Sequence, residues 1–232
     1  MEEYNVNSDS SQDNISRVFR SKDESEKTYS RMSRFYDLFA GNFEAKYKNR
    51  ALKYLDIKAG EEVLEIGFGT GHSIKQIALL VGKTGKVHGI DISSGMMNVT
   101  EKRLEKAGII NRVKLTLSDA LKLPYNTDKF DAVFMSFTLE LFDTSEIPII
   151  LNEIKRVLKP GGRFGIVSMS KGEGESILVN LYEWVHRKFP KYADCRPIYV
   201  EQSIKDGRFE ISFKDTLKLS GLPIEIVIAE KN

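Results

Sequence analysis

The chain has 232 residues, with 35 Lys and Arg against 33 Asp and Glu and a formal net charge of +2. That near balance excludes the strong basic excess typical of nucleic-acid-binding proteins, so no nucleic-acid partner is expected. The single cysteine, Cys195, excludes an internal disulfide and a multi-cysteine metal site. Neither a signal peptide nor a membrane span is evident in the sequence, and a cytoplasmic location is therefore expected.

Residues 1–24 are rich in Ser, Asn, Asp and Glu, which predicts a mobile N-terminal tail. We expect the remaining residues, 25–232, to form a single domain. Its first part, 25–56, has aromatic and aliphatic residues at helical spacing and predicts amphipathic helices interrupted near Gly41.

From residue 62 onward, strand-like and helix-like stretches alternate. The predicted strands are EVLEIG, GKVHGIDI, RVKLTLSD, KFDAVFMSF and RFGIVSMS, and the helices between them are HSIKQIALLVG, SGMMNVTEKRLEKAG and SEIPIILNEIKRVLKPGG. Such alternation is typical of βαβ units and a parallel sheet. The last stretch, RFEISFKDTLKLSGLPIEIVIAEK, predicts an antiparallel pair of strands after the two helices ESILVNLYEWVHRKF and IYVEQSIKDG.

Three glycines follow the first predicted strand on alternate positions, Gly67, Gly69 and Gly71. A turn at this place lies at the carboxyl edge of the sheet, where open parallel sheets bind their ligands. Glycine lets a ligand come close to backbone N–H groups. The spacing differs from the G-x-G-x-x-G of dinucleotide-binding proteins. The loop is therefore predicted to hold a ligand of another kind.

Three acidic residues, Glu65, Asp91 and Asp119, lie near the carboxyl ends of three successive predicted strands. Carboxylates suit a ligand with a cationic amino group, a ribose diol and an adenine amine, whereas a pyrophosphate would be repelled. S-adenosylmethionine has those groups and no phosphate, and its carboxylate can be met by loop N–H groups and a helix N-terminus. Taken singly, Asp91 also suits a nicotinamide cofactor, Asp119 a helix cap and Glu65 a half-exposed strand end.

The sequence resembles class I S-adenosylmethionine-dependent methyltransferases, in particular the branch of the ubiquinone and menaquinone biosynthesis C-methyltransferases. The matching stretches are RFYDLF, VLEIGFGTGHS, GIDISSGMM, SDALKLPYNTDKFDAVFMSFTLEL and EIKRVLKPGGRF. The resemblance implies a Rossmann-like α/β fold with a seven-stranded mixed sheet of order 3-2-1-4-5-7-6, its last strand antiparallel, and helices on both faces. It also implies that 25–56 is a helical lid, and we interpret 171–198 as a substrate cap.

The resemblance also implies roles for residues around the cofactor. Gly67, Gly69 and Thr70 would surround the methionine part, Asp91 would bind the ribose, and Asp119 with Ala120 would lie at the adenine. The other predicted cofactor contacts, on the base, along the cofactor, on the lid and in the loop, are Ile92, Met96, Ser136, Tyr29, Tyr36, Glu65 and Gly71.

Methyl transfer from a sulfonium is a direct displacement, for which the protein supplies alignment and a dry pocket. A base is needed only if the acceptor must lose a proton, and the candidates are Tyr36 and His186. Both residues are equally consistent with ordinary helix packing or surface exposure. No metal is expected. The alternatives are a nicotinamide-dependent oxidoreductase and a noncatalytic module that binds an adenosine cofactor.

The C-terminal stretch departs from the glycine-rich, aromatic end expected of the quinone enzymes. The predicted acceptor is therefore a small organic or lipid-like molecule. The predicted helix 175–189, with Trp184 and a basic end, could cover the acceptor, contact a membrane surface or simply pack on the sheet. The oligomeric state is left open.

Overall fold

The computed structural model describes residues 41–172, 196–219 and 221–232. The predicted tail, the first part of the predicted lid with Tyr29 and Tyr36, and the predicted helix 175–189 with His186 lie outside these residues. The described residues form one seven-stranded sheet. Its strands are β1 Glu62–Ile66, β2 Lys86–Asp91, β3 Val113–Leu117, β4 Phe130–Ser136, β5 Leu158–Met169, β6 Glu210–Leu219 and β7 Leu222–Glu230.

The strand order is β3-β2-β1-β4-β5-β7-β6, as predicted. The first five strands pair in parallel, and β7 is antiparallel to both of its neighbours, β5 and β6. The predicted mixed sheet is therefore confirmed. Because β1 to β5 are parallel, the segments that follow them all leave from the same edge of the sheet, and a site can form there.

Helices cover both faces of the sheet because its central strands are apolar on both sides. The helices are α1 Gly41–Leu55, α2 His72–Leu80, α3 Ser94–Lys106, α4 Ile147–Val157 and α5 Val200–Asp206. Alternate strand residues reach opposite cores: Val63 and Phe134 pack with side chains of α1, α2 and α3, while Leu64 and Val133 pack with those of α4 and α5. The result is a three-layer α/β/α arrangement.

One boundary differs from the prediction, which closed the helix before β5 with a Pro-Gly-Gly turn and began the strand at Arg163. The helix α4 ends at Val157, and Leu158 already pairs with Phe130 of β4. The residues between 158 and 163 form an irregularity in the strand, where Gly161 has φ 72° and donates its N–H to the carbonyl of Lys231. Proline cannot continue a helix, and pairing with the distant C-terminus makes this segment part of the strand.

The two ends of the predicted cap, 171–198, meet beside the carboxyl end of β5. Ser170 and Ile198 form a parallel bridge, and Lys171 N donates to Ile198 O at 3.0 Å. The fully buried Arg196 donates to Thr144 Oγ1 at 3.1 Å and to the carbonyl of Phe142. The entry and exit of the segment are thus held at the same edge of the sheet as the glycine loop.

A buried histidine on β2 makes the stability of the fold sensitive to acid. His88 Nε2 lies 2.8 Å from Glu62 Oε1, and its ring packs edge-on against Tyr125 and Phe130 at 5.3 Å. Burial lowers the pKa of His88, and the nearby Lys129 ammonium lowers it further. Protonation of His88 is therefore less favourable in the folded protein than in the unfolded chain, where the imidazole has its ordinary pKa of about 6.5.

The contribution of His88 to stability should accordingly be fully present above pH ~6.5 and be lost as the pH drops below it. His88→Gln, which keeps a donor for Glu62, should remove part of this fall. Urea unfolding of both proteins at several pH values between about 8 and 5 measures the effect. Parallel pH dependences for the two proteins would contradict this assignment.

Candidate active site

The glycine loop between β1 and α2 contains three residues with left-handed backbone, Gly67 at φ 74°, Gly69 at φ 51° and Gly71 at φ 80°. A Cβ atom on Gly67 would lie 2.5 Å from Thr138 Cγ2, and one on Gly71 would lie 2.7 Å from Thr100 Cγ2. A Cβ on Gly69 would meet no atom of the described residues within 4 Å. Packing thus demands glycine at the outer two positions, while the middle glycine faces open space that a ligand can enter.

Asp91 at the end of β2 clamps this loop. Its Oδ2 accepts the N–H of Gly69 at 2.9 Å, and its Oδ1 accepts the N–H of Ser93 at 2.9 Å. From α3, Thr100 Oγ1 donates to the carbonyl of Gly69 at 2.8 Å. Burial raises the pKa of Asp91, against the lowering effect of these backbone donors. A carboxylate has about four acceptor sites, so further acceptor capacity remains for hydroxyls of a ligand.

Glu65 on β1 is only 1% exposed, and its Oε2 has no hydrogen-bond partner among the described residues. Burial raises the pKa of Glu65 well above its usual range, and the carboxylate of Asp91 adds to the rise, while Lys48 of α1 opposes it. A buried carboxyl oxygen without a partner is costly. A cationic amino group bound beside the loop would remove that cost.

The adenine-side residues have local structural roles as well. Asp119 lies two residues beyond β3 and accepts the N–H of Leu121 at 3.0 Å, while Ala120 is buried in the core. Ile92 is half-buried just after β2. Met96 is buried, and its N–H is capped by Ser93 Oγ at 3.2 Å. These positions stay predictions of cofactor contact.

The buried residue Ser136 ends β4 beside the loop, one residue beyond Met135, which pairs with Ile66. The chain turns after Ser136, and the carbonyl of Ser136 accepts a hydrogen bond from the hydroxyl of Thr138 at 2.9 Å. Thr70 is buried within the glycine loop. The structure thus gathers Glu65, Gly69, Asp91 and Ser136 at the ends of three adjacent strands, whereas Tyr29, Tyr36 and His186 lie outside the described residues.

Sequence reasoning missed three residues at this edge. Thr100 and Thr138 fill the space over two glycines, which only the tertiary structure reveals. The third is Glu140, fully buried in a short 3-10 turn, Leu139–Leu141, after β4. An acid inside the otherwise apolar stretch SFTLELF was the signal that could have found it.

Glu140 accepts hydrogen bonds from the end of β5. Its Oε2 lies 2.9 Å from Ser168 Oγ, and its Oε1 lies 3.2 Å from the N–H of Met169. Burial raises the pKa of Glu140 to about 7, and the carboxylate of Glu44 on α1 contributes to the rise. Perturbed carboxyls of this kind concentrate at functional sites.

Two further features of the described residues bear on the chemistry. Within 41–172, 196–219 and 221–232, no cluster of three or more His, Cys, Asp or Glu side chains is arranged to hold a metal ion. In the same ranges, no helix combines the length and the apolar character required to cross a bilayer.

The ubiE/COQ5 methyltransferase family model matches residues 7–195. The ubiquinone/menaquinone biosynthesis C-methyltransferase UbiE of Pseudomonas fluorescens is 37% identical over 135 residues, 58% of this chain and 52% of that protein. The demethylmenaquinone methyltransferase of Symbiobacterium thermophilum is 30% identical over 193 residues, 78% of this chain and 76% of that protein. The match to the first of these relatives spans about half of its length.

Solved structures share the fold. The [4+2]-cyclase SpnF superposes with a TM-score of 0.74 at 17% identity, covering 91% of this chain and 97% of that chain. A SAM-dependent methyltransferase from Aquifex aeolicus superposes with a TM-score of 0.60 at 24% identity, covering 80% of this chain and 89% of that chain. At these identities the likeness establishes the Rossmann-like fold alone.

The family match covers most of the chain, including the glycine loop, the three acidic strand ends and the turn after β4. It stops at residue 195, before the C-terminal hairpin in which the sequence departs from the quinone enzymes. The predicted family is confirmed: this chain belongs to the ubiE/COQ5 methyltransferase family.

Proposed function

We propose that this chain is an S-adenosylmethionine-dependent methyltransferase whose acceptor is a small, lipid-like molecule with a hydroxylated ring. The observation that most supports the cofactor is the pairing of a buried carboxyl oxygen at Glu65 with an open backbone turn at Gly69. The buried Glu65 oxygen suits a cationic amino group, and the turn at Gly69 lets a ligand contact the backbone closely. The Glu65 carboxyl disfavours a pyrophosphate, because it offers the ligand an acceptor oxygen and no cation.

The residues present fit that cofactor. Glu65 would hold its amino group, Asp91 its ribose hydroxyls, and the Gly69 turn its methionine backbone, while the adenine would lie near Asp119. When bound, S-adenosylmethionine supplies a methyl group on a positively charged sulfur, which is already activated for displacement. The protein then has to align the acceptor with that methyl group and exclude water.

The two relatives support a ring acceptor with an apolar tail, because one is a ubiquinone/menaquinone biosynthesis C-methyltransferase and the other a demethylmenaquinone methyltransferase. We propose a reduced quinone, a hydroquinone, as the acceptor class. The cap over 171–198, the lid residues Tyr29 and Tyr36, peripheral membrane contact and a cytoplasmic location all stay predictions.

The two alternatives make different demands. A nicotinamide-dependent oxidoreductase would bind a pyrophosphate at the glycine loop, which the neighbouring carboxylates disfavour. A noncatalytic cofactor-binding module would bind S-adenosylmethionine and transfer no methyl group. The fold by itself does not decide this second point, since the cyclase SpnF shares it.

Methyl transfer is tested by incubating the protein with methyl-labelled S-adenosylmethionine and naphthoquinols that have isoprenoid tails of increasing length. We expect label in the quinol fraction and S-adenosylhomocysteine as the other product. Binding of S-adenosylhomocysteine without any transfer would favour the noncatalytic module. Binding of NAD(H) in its place would favour the oxidoreductase.

Asp91→Ala should weaken cofactor binding by about 1–3 kcal/mol, as expected when a buried polar partner is lost. The change removes both the ribose acceptor and the clamp on Gly69 N–H. Calorimetric titration with S-adenosylhomocysteine measures the loss. Asp215→Ala is a suitable control because Asp215 lies on β6, the strand at the other end of the sheet, where it pairs with Arg50 of α1. Unchanged affinity in Asp91→Ala would contradict the placement of the ribose.

A further inference from the structure

The carboxyl edge of the sheet divides into two halves. The candidate cofactor residues Glu65, Asp91 and Asp119 lie at or near the ends of β1, β2 and β3, which are adjacent in the sheet. A cofactor held there occupies that half, and its methyl group must be presented to an acceptor on the other half. Because Ser136 at the end of β4 would lie along the cofactor, the acceptor side is the edge beyond it, formed by the segment after β4 and the end of β5.

The chain makes an unusual turn on that side. Phe137, directly after β4, has φ 51° although it is not glycine, and its N–H donates to the carbonyl of Val167 on β5 at 2.7 Å. Backbone of this kind is unfavourable for a large side chain and is enriched at functional sites. The turn brings Thr138 against Gly67 and leads directly into the 3-10 turn containing Glu140.

Glu140 lies over the end of β5. Its partner Ser168 follows Val167, which pairs with Ser136 of β4, so the carboxyl group lies at the end of the strand next to β4. Among the described residues, the carboxyl group accepts hydrogen bonds from Ser168 Oγ, from the N–H of Met169 and from its own backbone N–H, and a carboxylate can accept about four. Capacity for a hydroxyl donor from an acceptor molecule therefore remains.

The charges around Glu140 are few. From α1, Glu44 is the carboxylate that acts on it, and Glu44 itself pairs with Lys48 at 2.8 Å. From β5, the contacts are the hydroxyl of Ser168 and the N–H of Met169, both uncharged. No cation in the described residues forms an ion pair with Glu140 that would hold it permanently ionised.

Resting on the proposed methyltransferase function, we propose that Glu140 is the catalytic base, which takes the hydroxyl proton of a hydroquinone acceptor as its ring carbon is methylated. The O–H bond breaks and its proton passes to the Glu140 carboxylate. The ring carbon's electron pair forms the new C–C bond to the methyl group, and the C–S bond breaks with its pair kept by sulfur. The proton displaced from that ring carbon passes to the acceptor oxygen as aromaticity is restored. Glu140 then releases the proton that it took to solvent, which balances the positive charge lost when the sulfonium becomes a neutral thioether.

A carboxyl whose pKa is near neutrality suits this task. At about 7, Glu140 is substantially ionised at neutral pH and basic enough to accept a proton from an activated phenol. The other buried carboxyls fit less well. Glu65 lies on the cofactor side. Glu225 on β7 has one oxygen, Oε2, without a hydrogen-bond partner among the described residues, but its Oε1 accepts from Ser170 Oγ at 2.8 Å and lies 3.9 Å from the Lys214 ammonium, a cation that favours the ionised form.

The test compares wild type with Glu140→Gln on a naphthoquinol acceptor over a range of pH. General-base catalysis typically contributes about 10²- to 10⁴-fold, so kcat/KM for methyl transfer should fall by that factor. The wild-type profile should show an acidic limb that the variant lacks. Binding of S-adenosylhomocysteine should be unchanged in Glu140→Gln, which separates loss of the base from loss of the cofactor site.

Two further variants distinguish a base from a structural carboxyl. Ser168→Ala removes a donor that stabilises the ionised form, so it should move the acidic limb of kcat/KM to higher pH. Glu225→Gln is the matched control, because it changes a second buried glutamate that also bonds a serine. We expect it to keep both the rate and the pH profile of wild type.

A readout without turnover follows the proton directly. Infrared difference spectra between wild type and Glu140→Gln isolate the protonated carboxyl band of Glu140, whose titration should be centred near pH 7 and disturbed when a non-reactive phenolic analogue binds. An active wild type together with a Glu140→Gln protein of unchanged rate and pH profile overturns the inference alone. A wild type that methylates no hydroquinone overturns the proposed function and the inference together.

Discussion

Gly67→Ala should destabilise the protein by about 2–5 kcal/mol, whereas Gly69→Ala should cost only about 1–2 kcal/mol but should greatly weaken cofactor binding. Both positions have left-handed backbone, which costs an L-residue roughly 1–2 kcal/mol. At Gly67 the new Cβ would also overlap the side chain of Thr138, and overpacking adds typically 1–3 kcal/mol. At Gly69 the methyl group would enter the open space that the cofactor is proposed to fill.

The contrast is measured by urea unfolding and by calorimetric titration of each variant with S-adenosylhomocysteine. A second-site control is available, because Thr138→Ala removes the atoms that the new methyl group would strike. In the double variant Gly67→Ala with Thr138→Ala, the combined loss should be smaller than the sum of the single losses. Equal stability of the Gly67→Ala and Gly69→Ala proteins would refute the division of the loop into packed and open glycines.

Glu140→Gln should change the pH dependence of stability by about 3 kcal/mol. The pKa of Glu140 is raised by burial from 4.5 in the unfolded chain to about 7 in the folded protein. Between these values the folded state binds the proton more tightly than the unfolded state. The stability contributed by the protonated carboxyl is therefore fully present below pH ~4.5 and lost as the pH rises through about 7.

Glutamine stays neutral and keeps an acceptor oxygen, so the variant should lack this loss. Relative to wild type, Glu140→Gln should gain roughly 1.36 kcal/mol for each unit of the pKa difference between pH ~4.5 and pH ~7. Urea unfolding of both proteins at several pH values measures the difference. A constant difference across that range would show that Glu140 titrates normally in the folded protein.

These two results would connect stability with function at the same sheet edge. A buried carboxyl that destabilises the ionised folded state is a poor structural choice, since a neutral side chain would pack there at lower cost. Its presence beside a strained turn is consistent with the trade between stability and activity seen at functional sites. The comparison of stability and kcat/KM for the one variant Glu140→Gln tests that interpretation.

The order and direction of the strands were predictable from the sequence alone, and so were the residues proposed for the cofactor half of the site. Alternating strands and helices predicted the parallel sheet, because the period of apolar residues follows directly from local geometry. The glycine loop and Glu65 could be recognised because they lie in one continuous motif. Asp91 could be recognised because it ends the next predicted strand. The boundary at Leu158 was missed, since pairing with the C-terminus overrode the local Pro-Gly-Gly signal.

What each side chain faces became clear only from the packing of distant segments. It separated Gly69, which faces open space, from Gly67 and Gly71, which face threonines distant in sequence. It also placed Glu140 against Ser168, 28 residues away, and removed it from water. A pKa and an unfilled space depend on burial and on neighbours brought from elsewhere in the chain, and no local pattern encodes either of them.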